Sequence, residues 1–222
     1  MKIAINGFGR IGRHAFKIAF QKKLDIVGIN DLTDTKTLAH LLKHDTAYND
    51  FPFPVSYDDK HIIVKGKKIP VFAEKDPAVL PWKQLKVDVV IESTGRFTDA
   101  ESAKAHITAG AKKVVISAPG KGDLKTYVRG VNDKEYKGEP ILDNASCTTN
   151  CAAPMMLVLE KEFGIEKAML TTVHSYTASQ VLQDGPSKDL REARAAAQNM
   201  VPTKTGAAVA VTRTIPQLQG KF

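Results

Sequence analysis

The sequence predicts an α/β fold, a doubly wound parallel sheet with covering helices, followed by a smaller α+β region. In the first half, short β-rich runs alternate with segments of helical periodicity, the order that builds a parallel sheet. A glycine-rich turn joins the first strand to the first helix. Beyond residue 146 this alternation gives way to a long helical stretch and a polar segment. These three observations separate the chain into two regions.

Apolar runs and helical periodicity locate the elements of the first region. Strands are expected at 2–6, 25–30, 87–93, 113–117 and 141–144, and helices at 11–21, 34–42 and 99–109. The last helix would open with a capping box formed by Thr98 and Glu101. Between residues 55 and 72, short strands around Asp58-Asp59 and Gly66 predict an antiparallel meander on the edge of the sheet.

The second region has a different texture. A helix-like stretch covers 147–162, a β-rich run covers 168–173, and a polar segment at 179–188 leads into an Ala-rich helix. We place the boundary near Ser146, which gives domains of residues 1–146 and 147–222.

Composition restricts the class of protein. The chain of 222 residues is 43% hydrophobic and 25% charged, as in ordinary globular proteins. Its net charge of +8 permits anionic partners, but the basic residues are scattered and lack interleaved aromatics. This pattern favours a solvated face over a nucleic-acid surface. No leader-like segment or run of ~20 apolar residues is visible, which predicts a cytoplasmic protein without membrane contact.

The two cysteines, Cys147 and Cys151, stand four residues apart in a predicted helix. This spacing is poor disulfide geometry, and no further ligands for zinc accompany them. A reducing compartment and no metal site are expected.

The glycine turn predicts a dinucleotide site of the Rossmann type. The run from Gly7 to Gly12 reads G-x-G-x-x-G between a strand and a helix, which would set a pyrophosphate on backbone amides at the helix N-terminus. Gly7 would allow the tight turn, Gly9 the approach of the phosphates and Gly12 close contact between helix and strand. Three glycines could also serve tight local contacts alone.

An acid at the end of the second strand strengthens the dinucleotide interpretation. Asp31 could accept hydrogen bonds from both ribose hydroxyls and repel a 2′-phosphate, which favours NAD over NADP. It could instead cap the next helix, as could Asp34. The residues from Glu92 to Gly95 and from Ser117 to Pro119 end later strands, where open sheets bind ligands, although ordinary turns would look the same.

A cysteine and a histidine form a candidate catalytic pair. Cys147 lies at the mouth of a predicted helix, where unpaired amides and the helix dipole favour a thiolate. His174 ends the β-rich run and could act as its base. From spacing alone the alternative is favoured, because a lone cysteine is more often a small buried residue and a lone histidine is more often a surface or hydrogen-bonded core residue.

Four segments together resemble the glyceraldehyde-3-phosphate dehydrogenase family, in order and over the whole chain. They are Asn6-Gly-Phe-Gly-Arg-Ile-Gly12, Ala145-Ser-Cys-Thr-Thr-Asn-Cys151, Thr172-Val-His-Ser-Tyr-Thr177 and Thr205-Gly-Ala-Ala208. The cysteine segment is specific to this family and its erythrose-4-phosphate relatives, whereas the glycine turn is not.

The resemblance implies an NAD-dependent phosphorylating aldehyde dehydrogenase of glycolysis, in which Cys147 is the nucleophile and His174 the base. Cys151 would be a small buried residue without a role. Lys75 stands where many members carry arginine and would act as a point charge. The resemblance implies NAD contacts at Arg10, Ile11, Asp31, Lys75 and Ser117, which join the cofactor residues expected from the glycine turn and the strand end, Gly7, Gly9, Gly12, Thr94 and Gly95. The implied contacts of the substrate phosphate and inorganic phosphate are Ser146, Thr148, Thr177, Thr205 and Gly206.

Members of this family continue well beyond the position of Phe222, so the catalytic domain is expected to be incomplete, as in a fragment, a truncated gene product or one piece of a split protein. The family forms homotetramers, which implies a homo-oligomer. Two alternatives to glyceraldehyde 3-phosphate oxidation stay open, namely an erythrose-4-phosphate dehydrogenase and a non-catalytic NAD-binding module.

Overall fold

The computed structural model describes residues 1–222 and contains one eight-stranded sheet. Its strand order is β3-β4-β5-β2-β1-β6-β7-β8. The first strand therefore lies inside the sheet, between β2 and β6, and pairs with both in parallel. The strands are β1 (Lys2–Asn6), β2 (Asp25–Asn30), β3 (Val55–Asp58), β4 (His61–Val64), β5 (Lys67–Phe72), β6 (Val89–Glu92), β7 (Lys113–Ile116) and β8 (Ile141–Asp143).

The interior strands are apolar on both faces because helices cover both sides of a parallel sheet. Ile3, Ala4 and Ile5 are all buried in β1, and Ile26 and Ile29 are buried in β2. The helices are α1 (Arg10–Gln21), α2 (Thr35–Lys43), α3 (Trp82–Leu85), α4 (Ala100–Thr108), α5 (Cys147–Phe163) and α6 (Ala207–Thr214). The doubly wound α/β prediction is confirmed.

The start of α4 differs from the prediction. Asp99 is the N-cap, and its Oδ1 accepts a hydrogen bond from the backbone N–H of Ser102 at 2.9 Å. The capping box predicted from Thr98 and Glu101 is therefore wrong by one residue, because an ionised aspartate directly beside the helix is as good a cap as threonine. Thr98 is instead buried, and its carbonyl accepts from the N–H of Lys121.

The antiparallel meander is confirmed, and it continues the main sheet. β3 pairs with β4 and β4 with β5, all antiparallel, while the end of β5 pairs in parallel with β2. The turn between β4 and β5 uses Lys65 and Gly66, both at positive φ, as a two-residue hairpin of this hand requires. Ile62, Val64 and Ile69 bury the meander's inner face in the main core.

The chain divides into two compact units, residues 1–147 and 148–222. In the second unit the β-rich run 168–173 forms no strand, which corrects the prediction. A β-rich segment becomes a strand only when a partner supplies a ladder, and here only Ala168 has a backbone bond, its N–H donating to the carbonyl of Lys221. Met169 and Val173 are almost fully exposed.

The Ala-rich helix expected after the polar segment is also misplaced. Residues 189–200 form turns, and the next helix is α6, which begins at Ala207. None of the helices is both long enough and apolar enough to cross a bilayer.

Candidate nucleotide cleft and cysteine site

The glycine turn leaves an open space at the start of α1. Gly7 has φ +88°, and a Cβ there would lie 2.7 Å from the backbone nitrogen of Thr94. A Cβ on Gly12 would lie 2.0 Å from the carbonyl oxygen of Gly7, so helix and turn are in direct backbone contact. Around Gly9, by contrast, nothing lies within 4 Å of the position of a Cβ. Backbone atoms therefore pack closely against Gly7 and Gly12, whereas the turn is open at Gly9.

The start of α1 is not capped by a side chain. Gly9 is the N-cap residue, and neither a side-chain cap nor an acidic residue occupies the first turn. Amide groups at such a helix start are available to an anion, and the helix dipole favours negative charge there.

Asp31 is held beside this turn and is not the helix cap. Its Oδ2 accepts from the backbone N–H of Phe8 at 2.7 Å, and its Oδ1 accepts from that of Thr33 at 2.9 Å. Asp34 caps α2, with its Oδ1 accepting from the N–H of Thr37 at 2.9 Å. Asp34, and not Asp31, is therefore the N-cap residue of α2.

A cleft of about 280 Å³ lies above the carboxyl ends of β1, β2 and β6. Such an edge is where open α/β sheets bind their ligands. Five residues expected to contact a cofactor line it, namely Gly7, Gly9, Asp31, Lys75 and Thr94. Ser93, from the run 92–95 expected at this edge, also lines the cleft, and the lining residues that were not predicted are Asn6, Asn30, Leu32, Glu74, Arg96 and Phe97.

Three of the lining residues that were not predicted lie at or just after strand ends. Asn6 and Asn30 are the last residues of β1 and β2, and Glu74 follows β5 by two residues. Polar residues at the carboxyl ends of neighbouring parallel strands meet at one edge of the sheet. The sequence therefore contained the information for Asn6 and Asn30, and extending the strand-end argument to the first two strands would have found both.

The other predicted cofactor residues are not part of the cleft lining. Gly95 follows Thr94 with φ +72°, Gly12 packs under the turn, and Ile11 is half exposed in the first turn of α1. Ser117 follows β7, where its N–H donates to the carbonyl of Glu92. Arg10 faces away towards Asp45, at 3.1 Å from Nη1 to Oδ1.

Asp45 is the centre of a basic cluster at the side of α1. Its buried carboxylate lies within 3.5 Å of nitrogen atoms of Arg10, His14 and Lys17. Burial alone would raise the pKa of Asp45, but hydrogen bonds from the backbone N–H of Tyr48 and from Arg10 hold that pKa well below its usual range. The pKa of His14 is lowered, first by burial and then by the charge of Arg10. The cluster fixes the outer face of α1.

Cys147 is the first residue of α5 and lies shortly after β8. The turn before it places Ala145 at φ +59°, with the N–H of Ala145 donating to Oδ1 of Asp143 at 2.8 Å. Cys147 and Cys151 are both exposed and neither is in a disulfide. The expectation that Cys151 is buried is therefore wrong, because its position one turn along α5 faces outward.

The remaining predicted residues of the chemical site lie on or after α5. Thr148 follows Cys147 in α5, and Ser146 precedes it. His174 is exposed in an irregular segment, its Nδ1 2.6 Å from the carbonyl oxygen of Ser175. Thr177 is exposed, and its N–H donates to Oε1 of Gln180. Thr205 and Gly206 directly precede α6, and the hydroxyl oxygen of Thr205 accepts from the N–H of Ala207.

The residues of the first unit fit a dinucleotide. The space around Gly9, the uncapped start of α1 and the Asp31 carboxylate would provide room for phosphates, amide donors and an acceptor for ribose hydroxyls, respectively. A Cβ on Gly9 would occupy the same space. The fold and this cleft thus define an NAD-binding domain of the dehydrogenase type.

Comparisons with known proteins identify the family. Residues 1–100 match the family model described as "Glyceraldehyde 3-phosphate dehydrogenase, NAD binding domain", and residues 146–222 match that described as "Glyceraldehyde 3-phosphate dehydrogenase, C-terminal domain". The chain belongs to the glyceraldehyde-3-phosphate dehydrogenase family.

Relatives support this assignment along the whole chain. Glyceraldehyde-3-phosphate dehydrogenase 1 of Bacillus cereus is 53% identical over 224 residues, covering 100% of this chain and 67% of the relative. The enzyme of Geobacillus stearothermophilus is 52% identical over 225 residues, with coverage of 100% and 67%. That of Thermotoga maritima is 57% identical over 214 residues, with coverage of 95% and 64%. The chain spans about two thirds of the length of these relatives.

Proposed function

We propose that the protein to which this chain belongs catalyses the NAD-dependent, phosphorylating oxidation of glyceraldehyde 3-phosphate. The observation that carries the proposal is the position of Cys147. It opens α5 directly after β8, and β8 runs parallel to β7 and β6, so its carboxyl end lies at the same sheet edge as the cleft. A thiol at a helix start beside a cofactor site is suited to covalent aldehyde chemistry.

Cys147 would act as the nucleophile. Its thiolate adds to the aldehyde carbon, and the carbonyl oxygen takes a proton from the protonated His174 to give a hemithioacetal. His174 takes this proton back as hydride leaves the same carbon, and the product is a thioester. NAD, when bound, supplies the hydride acceptor for this oxidation. Phosphate oxygen then attacks the thioester carbon, and the carbon–sulfur bond breaks to release an acyl phosphate and the thiolate.

Hydroxyls and amides at helix starts would bind the two phosphate groups. Ser146 and Thr148 flank Cys147 at the start of α5, and Thr205 and Gly206 precede α6. Such groups bind phosphate oxygens through hydrogen bonds and the helix dipole. Thr177 would add a further hydroxyl.

The cofactor contacts follow the geometry of the cleft. Gly7, Gly9, Lys75 and Thr94 would contact the dinucleotide as lining residues, and Asp31 would accept from its ribose hydroxyls. The further proposed contacts are Arg10, Ile11, Gly12, Gly95 and Ser117.

We also propose a domain boundary at Ser146, a cytoplasmic location and a homotetrameric assembly. The family models, which end at residue 100 and resume at residue 146, support the boundary. Membership of the family supports the location and the assembly.

NADH formation tests the proposed activity. The purified protein is mixed with NAD and glyceraldehyde 3-phosphate, with and without inorganic phosphate, and compared with a Cys147→Ser variant. We expect NADH only with the wild-type cysteine, with steady turnover only in the presence of phosphate. Calorimetric titration with NAD separates cofactor binding from chemistry. Steady turnover without phosphate would contradict the phosphorylating reaction, and faster turnover of erythrose 4-phosphate would contradict the substrate.

A further inference from the structure

A buried carboxylate lies directly behind the cleft wall. Glu92, the last residue of β6, is 1% exposed. Its Oε2 accepts from Nδ2 of Asn6 at 2.5 Å and lies 3.0 Å from Nε2 of His106. Its Oε1 accepts from the backbone N–H of Thr94 at 2.8 Å and from the hydroxyl of the same residue. Each carboxylate oxygen is thus surrounded by two donors.

The neighbouring tryptophan fixes the tautomer of His106. The indole N–H of Trp82 lies 3.0 Å from Nδ1 of His106, and an indole nitrogen can only donate. Nδ1 therefore carries the lone pair, and the ring proton is on Nε2, pointing at Glu92. Both His106 and Trp82 are fully buried. The two oxygens of Glu92 consequently accept hydrogen bonds from four donors, one each on Asn6 and His106 and two on Thr94.

The same network reaches the cleft. Asn6 and Thr94, which donate to Glu92, both line the cleft, whereas Glu92, His106 and Trp82 do not. The Oδ1 of Asn6 accepts from Nδ2 of Asn30 at 2.7 Å. Asn30 in turn holds the backbone of Glu74 on the opposite side of the cleft, accepting from its N–H and donating to its carbonyl, each at 2.9 Å.

We propose that Glu92 is a positioning residue for the cofactor cleft, which orients Asn6 and Thr94 and links them through His106 to Trp82. The inference rests on the proposed NAD site. A buried carboxylate with four donors has one arrangement that satisfies every partner, so it fixes the side-chain amide of Asn6 and the hydroxyl of Thr94 in one orientation. Movement of the cleft wall on NAD binding therefore reaches the indole of Trp82.

Glu92→Gln is the direct test because it keeps the shape and removes the charge. The glutamine amide has an NH2 group in place of one carboxylate oxygen, so two of the four donors around residue 92 face another donor. Asn6 or Thr94 must then turn away. Losing one well-placed hydrogen bond to NAD weakens binding by about tenfold, which corresponds to ~1.4 kcal/mol.

Trp82 is the only tryptophan and gives a single indole N–H cross-peak in a proton–nitrogen correlation spectrum. In the wild type we expect this peak to shift during titration with NAD, although the side chain is buried behind the cleft. In Glu92→Gln the dissociation constant for NAD should rise by about tenfold and the shift at saturation should shrink. Ile62→Ala, which truncates a buried side chain of the meander, is the control. It should lower the melting temperature and leave the NAD dissociation constant unchanged.

A second variant acts from the far end of the network. Trp82→Phe removes the indole donor to His106 together with part of a buried ring system. We expect the dissociation constant for NAD to rise roughly fivefold, as for the loss of one neutral hydrogen bond. If Glu92→Gln does not fold, the NAD affinity of Trp82→Phe and the wild-type titration test the positioning role instead. Absence of NAD binding to the wild type would overturn the cofactor assignment itself. NAD binding with an unmoved Trp82 peak and unchanged dissociation constants in the folded variants would overturn only the positioning role.

Discussion

Replacing Asp31 by alanine tests the origin of cofactor choice. In the structure one oxygen of this carboxylate fixes the N–H of Phe8 inside the glycine turn, and the other accepts from the N–H of Thr33. The proposed ribose hydrogen bonds would share these oxygens. The substitution therefore removes two things at once, a direct contact with NAD and a support of the turn that any dinucleotide would use.

The two cofactors should respond differently. NAD binding loses the charge-assisted hydrogen bonds to the ribose, at ~1.5–3 kcal/mol, and also the support of the turn, at ~1 kcal/mol, which together predict binding about a hundredfold to a thousandfold weaker. The binding free energy of NADP becomes less favourable by ~1 kcal/mol, because Asp31 no longer supports the turn. NADP is also relieved of repulsion between its 2′-phosphate and the carboxylate, which is ~1 kcal/mol at 4 Å in water. These two effects offset each other, so the affinity for NADP should change little.

Calorimetric titration of each cofactor into wild type and Asp31→Ala measures both dissociation constants. Asp34→Ala is the matched control because it removes a neighbouring acid that caps α2 and does not line the cleft. It should lower thermal stability and leave the preference for NAD unchanged. Equal affinities of the wild type for NAD and NADP, or equal weakening of both by Asp31→Ala, would refute the reasoning.

Three further predictions follow from the geometry. Iodoacetamide should label Cys147 faster than Cys151, because both thiols are exposed and only Cys147 lies at the start of the helix. Peptide mass analysis of timed samples measures the two labelling rates. His174→Ala should slow the labelling of Cys147 only. Asp45→Asn should lower the melting temperature at neutral pH. The difference from wild type should begin to shrink below about pH 4 and should shrink further as the pH is lowered, because a carboxylate whose folded-state pKa is depressed contributes its full stability above its unfolded-state pKa and loses it as the pH falls towards the folded-state pKa. A difference that stayed constant or grew between pH 5 and pH 2 would contradict this. Gly9→Ala should fold with an unchanged melting temperature and bind NAD more weakly, since its methyl group has open space in the protein that phosphates would need; unchanged calorimetric affinity would contradict the phosphate assignment.

The first unit could be predicted closely from the sequence because its structure depends on local signals. Several local patterns indicate the same order of strands and helices, namely the alternation of apolar runs with helical periods, the glycine turn and the short runs of the meander. The strands predicted at 2–6 and 25–30 match β1 and β2 residue for residue. The cap of α4 was missed because Thr98 and Asp99 are both good N-caps, and only the backbone conformation selects between them.

The second unit was harder to predict because its elements depend on partners distant in the chain. The run 168–173 has the composition of a strand, yet composition expresses a preference that only a neighbouring strand can realise. Likewise, the network behind the cleft could not be foreseen. Its members lie in three separate elements, Glu92 in β6, His106 in α4 and Trp82 in α3, and their spacing in the sequence does not predict their contact.

The direction of β1 bears on how the protein can be handled. This strand runs from the amino edge of the sheet to the cleft, and five residues of strand span about 17 Å. Met1 is 67% exposed at the far edge. A purification tag, a fluorophore or a surface tether attached there would project away from the opening that Gly7 and Gly9 border. Immobilisation through the N-terminus should therefore leave the cofactor cleft accessible to solution, whereas coupling through lysine side chains would include Lys75 in the cleft lining.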